Sequence, residues 1–223
     1  MQKSGNQKQV VFQKPPFDSI DILIEIDTTI EPLRVRGPIK PEDLSVYNMA
    51  EGLCCFRNSC SQHNALIELA GDPDGIIFAA SFEKLIVSYV SFQKPDYPWW
   101  KRRHFSQLLE LGSIETDLAW RKKGLSKILM DAVLRNAKFT YFEDYITIAP
   151  QFIQSWDLKN TGLAPWAYRQ LIVSFLTRYG FTSWETVDPE IGEHPCNILL
   201  ARIGKKIPEN KIEYFSCCCL DIN

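Results

Sequence analysis

No apolar run in the 223 residues approaches the ~20 needed to cross a bilayer. The opening stretch, MQKSGNQKQVVFQKPP, lacks the apolar core of a signal peptide. These two absences predict a cytoplasmic protein. An excess of charge is missing too: 25 Lys and Arg against 27 Asp and Glu leave a net −2. No global field therefore draws the chain to nucleic acid or to an anionic membrane. A disulfide framework is also not expected. The 7 cysteines are odd in number, and five of them lie in two adjacent clusters, Cys54-Cys55 and Cys217-Cys218-Cys219. Three consecutive side chains project in different directions and do not converge on one tetrahedral metal, so no metal site is expected. Cys219 sits one position too early for prenylation. There is no internal repeat and no low-complexity tract.

What remains is an ordinary globular composition, 45% apolar and 23% charged, long enough to bury a core. The reading divides it into a flexible arm over 1–18, one domain over 19–206 and a polar, cysteine-rich tail over 207–223. The central stretch runs from Leu108 to Ala137. A strand is predicted over Leu108 to Leu118, followed by Arg121-Lys122-Lys123-Gly124-Leu125-Ser126. Leu125, Ile128, Leu129, Ala132 and Val133 then fall at the spacing of one buried helix face. A strand, a basic glycine turn and an amphipathic helix leave backbone N–H groups and a helix dipole facing the turn, a place suited to an anion. Gly124 has no Cβ to block close approach.

Around this centre the patterns predict strands at Ile20 to Ile30, Ile76 to Phe82, Leu85 to Phe92, Tyr145 to Ala149, Phe181 to Val187 and Ile198 to Ile203. Helices are predicted from Pro41, from Ser61 to Ala70 with Ser61 as N-cap, and from Pro165 to Tyr179. The segment Tyr97 to His104 mixes Trp99 and Trp100 with Arg102 and Arg103, a composition seen at binding hot spots.

Arg121-x-x-Gly124-x-Ser126 resembles the cofactor-loop signature of the GNAT superfamily of N-acetyltransferases, with Ser126 where Gly or Ala is usual. The resemblance implies the GNAT fold: an α/β (α+β) architecture with a mixed, mostly antiparallel sheet splayed at its central strand and helices on both faces. It further implies acetyl-CoA as co-substrate, held by Thr116, Asp117, Leu118, Arg121, Lys122, Lys123, Gly124, Leu125, Ser126 and Lys127. A backbone N–H near Thr116 to Leu118 would polarise the acetyl carbonyl. The superfamily's tyrosine, four residues before a Gly-Phe pair, is replaced here by Leu176 before Gly180-Phe181, leaving Tyr168 and Tyr179 as substitutes.

The segments GPIKPEDL (37–44), LIELAGDPDG (66–75), LLELGSIE (108–115), WDLK (156–159) and DPEIGEHPCNILLARIGKK (188–206) are similar to the AcuA family of acetoin-utilisation acetyltransferases. That family implies acetylation of a lysine in acetyl-CoA synthetase, which inactivates the synthetase. Its base would be a central-strand carboxylate, Glu115 ahead of Glu110. The two are an odd number of residues apart and face opposite ways unless a bulge intervenes. His194 would line the lysine entrance. Trp99, Trp100 and Arg102 would contact the synthetase. A small-amine acetyltransferase and a non-catalytic acetyl-CoA-binding module of the same fold stand as alternatives.

Overall fold

The computed structural model describes residues 20–24, 32–96, 98–101, 103, 105–136 and 140–221. Strands β1 (Ile20–Ile24), β2 (Leu33–Gly37), β3 (Asn48–Met49), β4 (Ile76–Phe82), β5 (Leu85–Gln93), β6 (Leu108–Thr116), β7 (Ile146–Gln151), β8 (Thr182–Trp184) and β9 (Ile198–Ile203) join in one sheet. Its order is β1-β2-β4-β5-β6-β7-β9-β8, with β3 pairing alongside β5. Among the described residues only β3–β5 and β6–β7 are parallel; the other pairs are antiparallel. The predicted first strand is confirmed as far as Ile24, and its remainder falls outside the described residues, as does the N-terminal arm.

The helices are α1 (Pro41–Leu44), α2 (Ser59–Gly71), α3 (Pro98–Lys101), α4 (Leu125–Met130), α5 (Leu158–Thr161), α6 (Pro165–Thr177), α7 (Pro189–Gly192) and α8 (Glu209–Leu220). Asn58, not Ser61, caps α2: its side chain accepts the Ser61 N–H, satisfying one of the orphan donors of the first turn. α4 continues as a π-turn over Asp131–Arg135.

Two features of β6 shape the site. It pairs with β7 over Leu108 to Glu110 alone, while it pairs with β5 up to Thr116. Beyond Glu110 the two strands part, and the sheet forks. The second feature is a bulge: Phe92 stands opposite Leu111 and Ser91 opposite Ser113, so Gly112 is the extra residue. Through it Glu110, Ser113 and Glu115 face the same side as their partners Gln93, Ser91 and Tyr89. The odd spacing of the two glutamates is thereby cancelled.

The main core fills both sides of the β4–β5–β6 region and includes Phe78, Val90, Phe92, Leu129 and Phe142. A second core lies against β7 and β9, where Trp99, Trp100, Phe105, Ile146, Ile148, Phe215, Cys218 and Cys219 meet. This corrects two expectations. The packed unit continues past residue 206, because 209–220 is a helix whose Ile212, Phe215 and Cys219 form an inward stripe. Trp99 and Trp100 are only 6% and 3% exposed and cannot anchor a partner. Trp100 stacks on Phe215 at 5.4 Å, and the Arg103 guanidinium lies 3.7 Å over Trp99 while bonding to the Cys218 carbonyl and the Asp221 carboxylate. Tyr97, Arg102 and His104 lie outside the described residues.

Candidate active site

The site grows from the fork and from the two faces of β6. On one face Ser88 donates to the Glu115 carbonyl and shares a hydrogen bond with Thr116 (2.8 Å), and Thr116 shares another with Ser126 of α4 (3.0 Å). Ser126 is thus a polar tie between the helix start and the central strand. At that start Gly124 has φ +79° and Lys122 has φ +63°, and no side chain caps the helix. A Cβ added at Gly124 would meet nothing within 4 Å. Uncapped N–H groups, open space and the exposed Lys122, Lys123 and Lys127 fit a phosphate.

Arg121 does not join them. Its Nε donates to the Thr116 carbonyl (3.2 Å) and its Nη2 lies 2.6 Å from the Asp157 carboxylate. It clamps the exit of β6 to the loop after β7 rather than standing free at the helix start. Asp117 is spent in the same way. Its carboxylate accepts the N–H groups of Gly52 and Ala119, and its own N–H bonds to Val87. It therefore cannot polarise a carbonyl. Antiparallel alternation turns the N–H groups of Ile114 and Thr116 the other way, toward the fork, where β6 has no partner beyond Glu110.

The opposite face carries the glutamates. Glu115 is 4% exposed; one oxygen accepts the Cys55 N–H (2.7 Å) and the other accepts from Tyr89 Oη (2.8 Å). Burial raises its pKa above the ordinary carboxylate range, and these two bonds offset only part of the rise. The Cys55 thiol, pushed up to about 11 by burial and then by Asp157 and Glu115, stays un-ionised at neutral pH and reaches the Ser155 carbonyl at 3.8 Å. Cys55 thus joins the α1–α2 loop to the loop after β7.

Glu110 differs. It sits at the apex of the fork, the last residue paired to β7. Among the described residues its Oε2 is buried without a hydrogen-bond partner. Burial first, then Asp96 and Glu190, push its pKa up to about 8.

His194 is engaged within its own loop. Its Nδ1 accepts the Cys196 N–H (3.0 Å), closing the turn after α7, and among the described residues no contact joins it to either glutamate. Tyr179 bonds to the Lys127 carbonyl and packs in the core, while Tyr168 stacks on Trp156 at 5.3 Å. The sequence reading missed Cys55, Tyr89 and Asp157. Only Asp157 carried a signal, as part of the WDLK segment.

No family model matches the chain. It is 38% identical over 192 residues, 86% of its length, to the acetoin utilization protein AcuA of Bacillus licheniformis, covering 90% of that protein. To the AcuA of Bacillus subtilis it is 35% identical, with 85% and 90% covered. The crystal structure of an acetoin utilization protein from Exiguobacterium sibiricum superposes with a TM-score of 0.83 at 31% identity, over 93% of this chain and 97% of that one.

Proposed function

We infer the function from one premise: this chain belongs to the family of the acetoin utilization protein AcuA, on a GNAT acetyltransferase fold. It is an N-acetyltransferase that draws its acetyl group from acetyl-CoA, and its acceptor is a lysine of a protein, acetyl-CoA synthetase. The observation that carries the reading is the fork. An uncapped helix start on one face and, on the other, a carboxylate with one buried oxygen that has no hydrogen-bond partner among the described residues flank one gap in the sheet. Acetyl-CoA supplies the activated acetyl group.

The chain's own residues supply four things. Lys122, Lys123, Lys127 and the N–H groups from Gly124 to Lys127 hold the phosphates. Ser126 and Thr116 fix the helix start against β6. The inward N–H groups of Ile114 and Thr116 stand ready to orient a carbonyl lying in the fork. Glu110 takes the proton from the acceptor ammonium. A carboxyl near pH 8 is a far better match to an amine than one near 4.5. Glu115, ranked first from the sequence, already holds the Cys55 N–H and the Tyr89 hydroxyl, one on each oxygen, and acts by positioning the α1–α2 loop. Asp96 and Glu190 add negative charge near Glu110, which favours an approaching lysine. The synthetase then docks around the loop 188–197, which carries Glu190.

Labelled acetyl-CoA with purified acetyl-CoA synthetase tests the reading. Label should enter the synthetase on lysine. Label confined to polyamines would replace the protein acceptor by a small amine, and binding without transfer would leave a sensor. The cofactor half is tested by Gly124→Glu, which puts a side chain and a negative charge into the open space at the helix start. Calorimetry on the folded variant should show acetyl-CoA affinity down by about tenfold or more, ~1.4 kcal/mol. Gly124→Ala, which meets the same positive φ without the charge, separates strain from repulsion.

A further inference from the structure

Between α2 and the bulge of β6 lies a cavity of about 200 Å³ that the chemistry above does not use. Ala65, Leu66 and Leu69 of α2 form its apolar wall; Gln93, Ser91 and Ser113 form the opposite, polar one. Gln62 also lines it. That side chain is only 6% exposed, and its Oε1 is buried with no partner among the described residues. A lone buried acceptor is costly unless something brings it a proton. The room itself depends on the bulge glycine. A Cβ at Gly112 would stand 3.2 Å from Ser91 Oγ and 3.4 Å from Gln93.

The cavity is one register step from the proposed base. Gln93 is the cross-strand partner of Glu110, so their side chains are neighbours on one face. An extended chain advances ~3.3 Å per residue. A peptide whose lysine reaches Glu110 therefore lays a residue one or two positions away over the cavity.

Resting on the lysine-acetyltransferase reading, we propose that this cavity receives an uncharged side chain bearing a hydrogen-bond donor, a carboxamide above all, from a residue next to the acceptor lysine. The donor goes to Gln62 Oε1. The carbonyl of the same group takes a proton from the Gln93 amide, beside the Ser91 and Ser113 hydroxyls, which lie 2.7 Å apart. The methylenes rest on Leu66 and Leu69. A carboxylate is disfavoured because it would face the Gln62 oxygen without a proton to give. Arg57, at the rim, is exposed, so its pull on an acid is screened by water.

The test uses the full chain, acetyl-CoA and lysine peptides differing only at one position, scanned two residues to either side of the lysine. At one position Gln should exceed Leu, Glu and Lys in kcat/KM by about 10-fold, the size expected when a buried acceptor is left unmet. In Gln62→Leu that preference should vanish in favour of Leu, with acetyl-CoA affinity unchanged. Gly112→Ala, which narrows the cavity, should also compress the Gln-to-Leu ratio and guards against a variant that folds poorly. Equal rates for all four peptides, a preference for Glu, or a Gln preference that survives Gln62→Leu would overturn the subsite while leaving the acetyltransferase reading intact. Failure of every lysine peptide and of the synthetase to take label would overturn both.

Discussion

Glu110→Gln should lower turnover by ~10²–10⁴-fold, the usual cost of removing a general base. Acetyl-CoA affinity should be nearly unchanged, because Glu110 stands at the apex of the fork, on the face away from the helix start. The pH profile gives a second, independent readout. A carboxyl with a pKa of about 8 accepts a proton only once ionised, so the parent rate should climb with pH and level off above about 8. The variant should lose that limb. Stability moves the other way. A carboxyl whose folded pKa is raised favours the fold while protonated. Its contribution is complete below the ordinary carboxylate range and is lost as pH rises through about 8. Glutamine carries no such penalty, so above pH 8 the variant should unfold at a higher temperature than the parent. A variant as active as the parent across pH 6 to 9 would move the base elsewhere, and Glu115 would be next.

Glu115 and Glu110 show where the sequence stops being informative. Both were visible as central-strand carboxylates, and their odd spacing pointed to opposite faces. Gly112 reverses that by adding one residue to the strand, a change of parity that only pairing with β5 reveals. The choice between them then rests on partners. The Cys55 N–H belongs to a loop sixty residues earlier in the chain, and nothing in the local pattern announces that it will close on Glu115. Arg121 makes the same point. Its place in the loop signature implied a phosphate contact, yet Asp157, from a loop that the fold brings alongside, neutralises it. Gly124 and the helix after it were legible because both depend on local facts: a positive φ and an apolar stripe. The α2–β4–β5 unit was legible for the same reason, since turn residues and short-range hydrophobic spacing define it.

The largest misreading concerns the C-terminal helix, and it carries the largest stability prediction. Cys217 to Cys219 drew attention as possible ligands, which hid their behaviour as small apolar residues. Once Cys219 is counted as apolar, Ile212, Phe215 and Cys219 fall at helical spacing and face the second core. Phe215 is the keystone there. It is fully buried, stacked on Trp100 at 5.4 Å, edge-on to Trp184 at 4.9 Å and to Phe105 at 6.2 Å. Phe215→Ala removes all three ring contacts from a wall that also includes Ile146 and Ile148, the residues of β7 that hold β6 at the fork's apex. A buried Phe→Ala change typically costs ~3–5 kcal/mol, through lost burial and an unfilled cavity. Urea unfolding should show a midpoint lowered accordingly, with the slope little changed. Tyr214→Ala, one position away and half exposed, should cost far less. If Phe215→Ala fell within about 1 kcal/mol of the parent, the helix would be an ornament on a self-sufficient domain. A loss of the full size would show that the fork's closed end is held by the last helix of the chain.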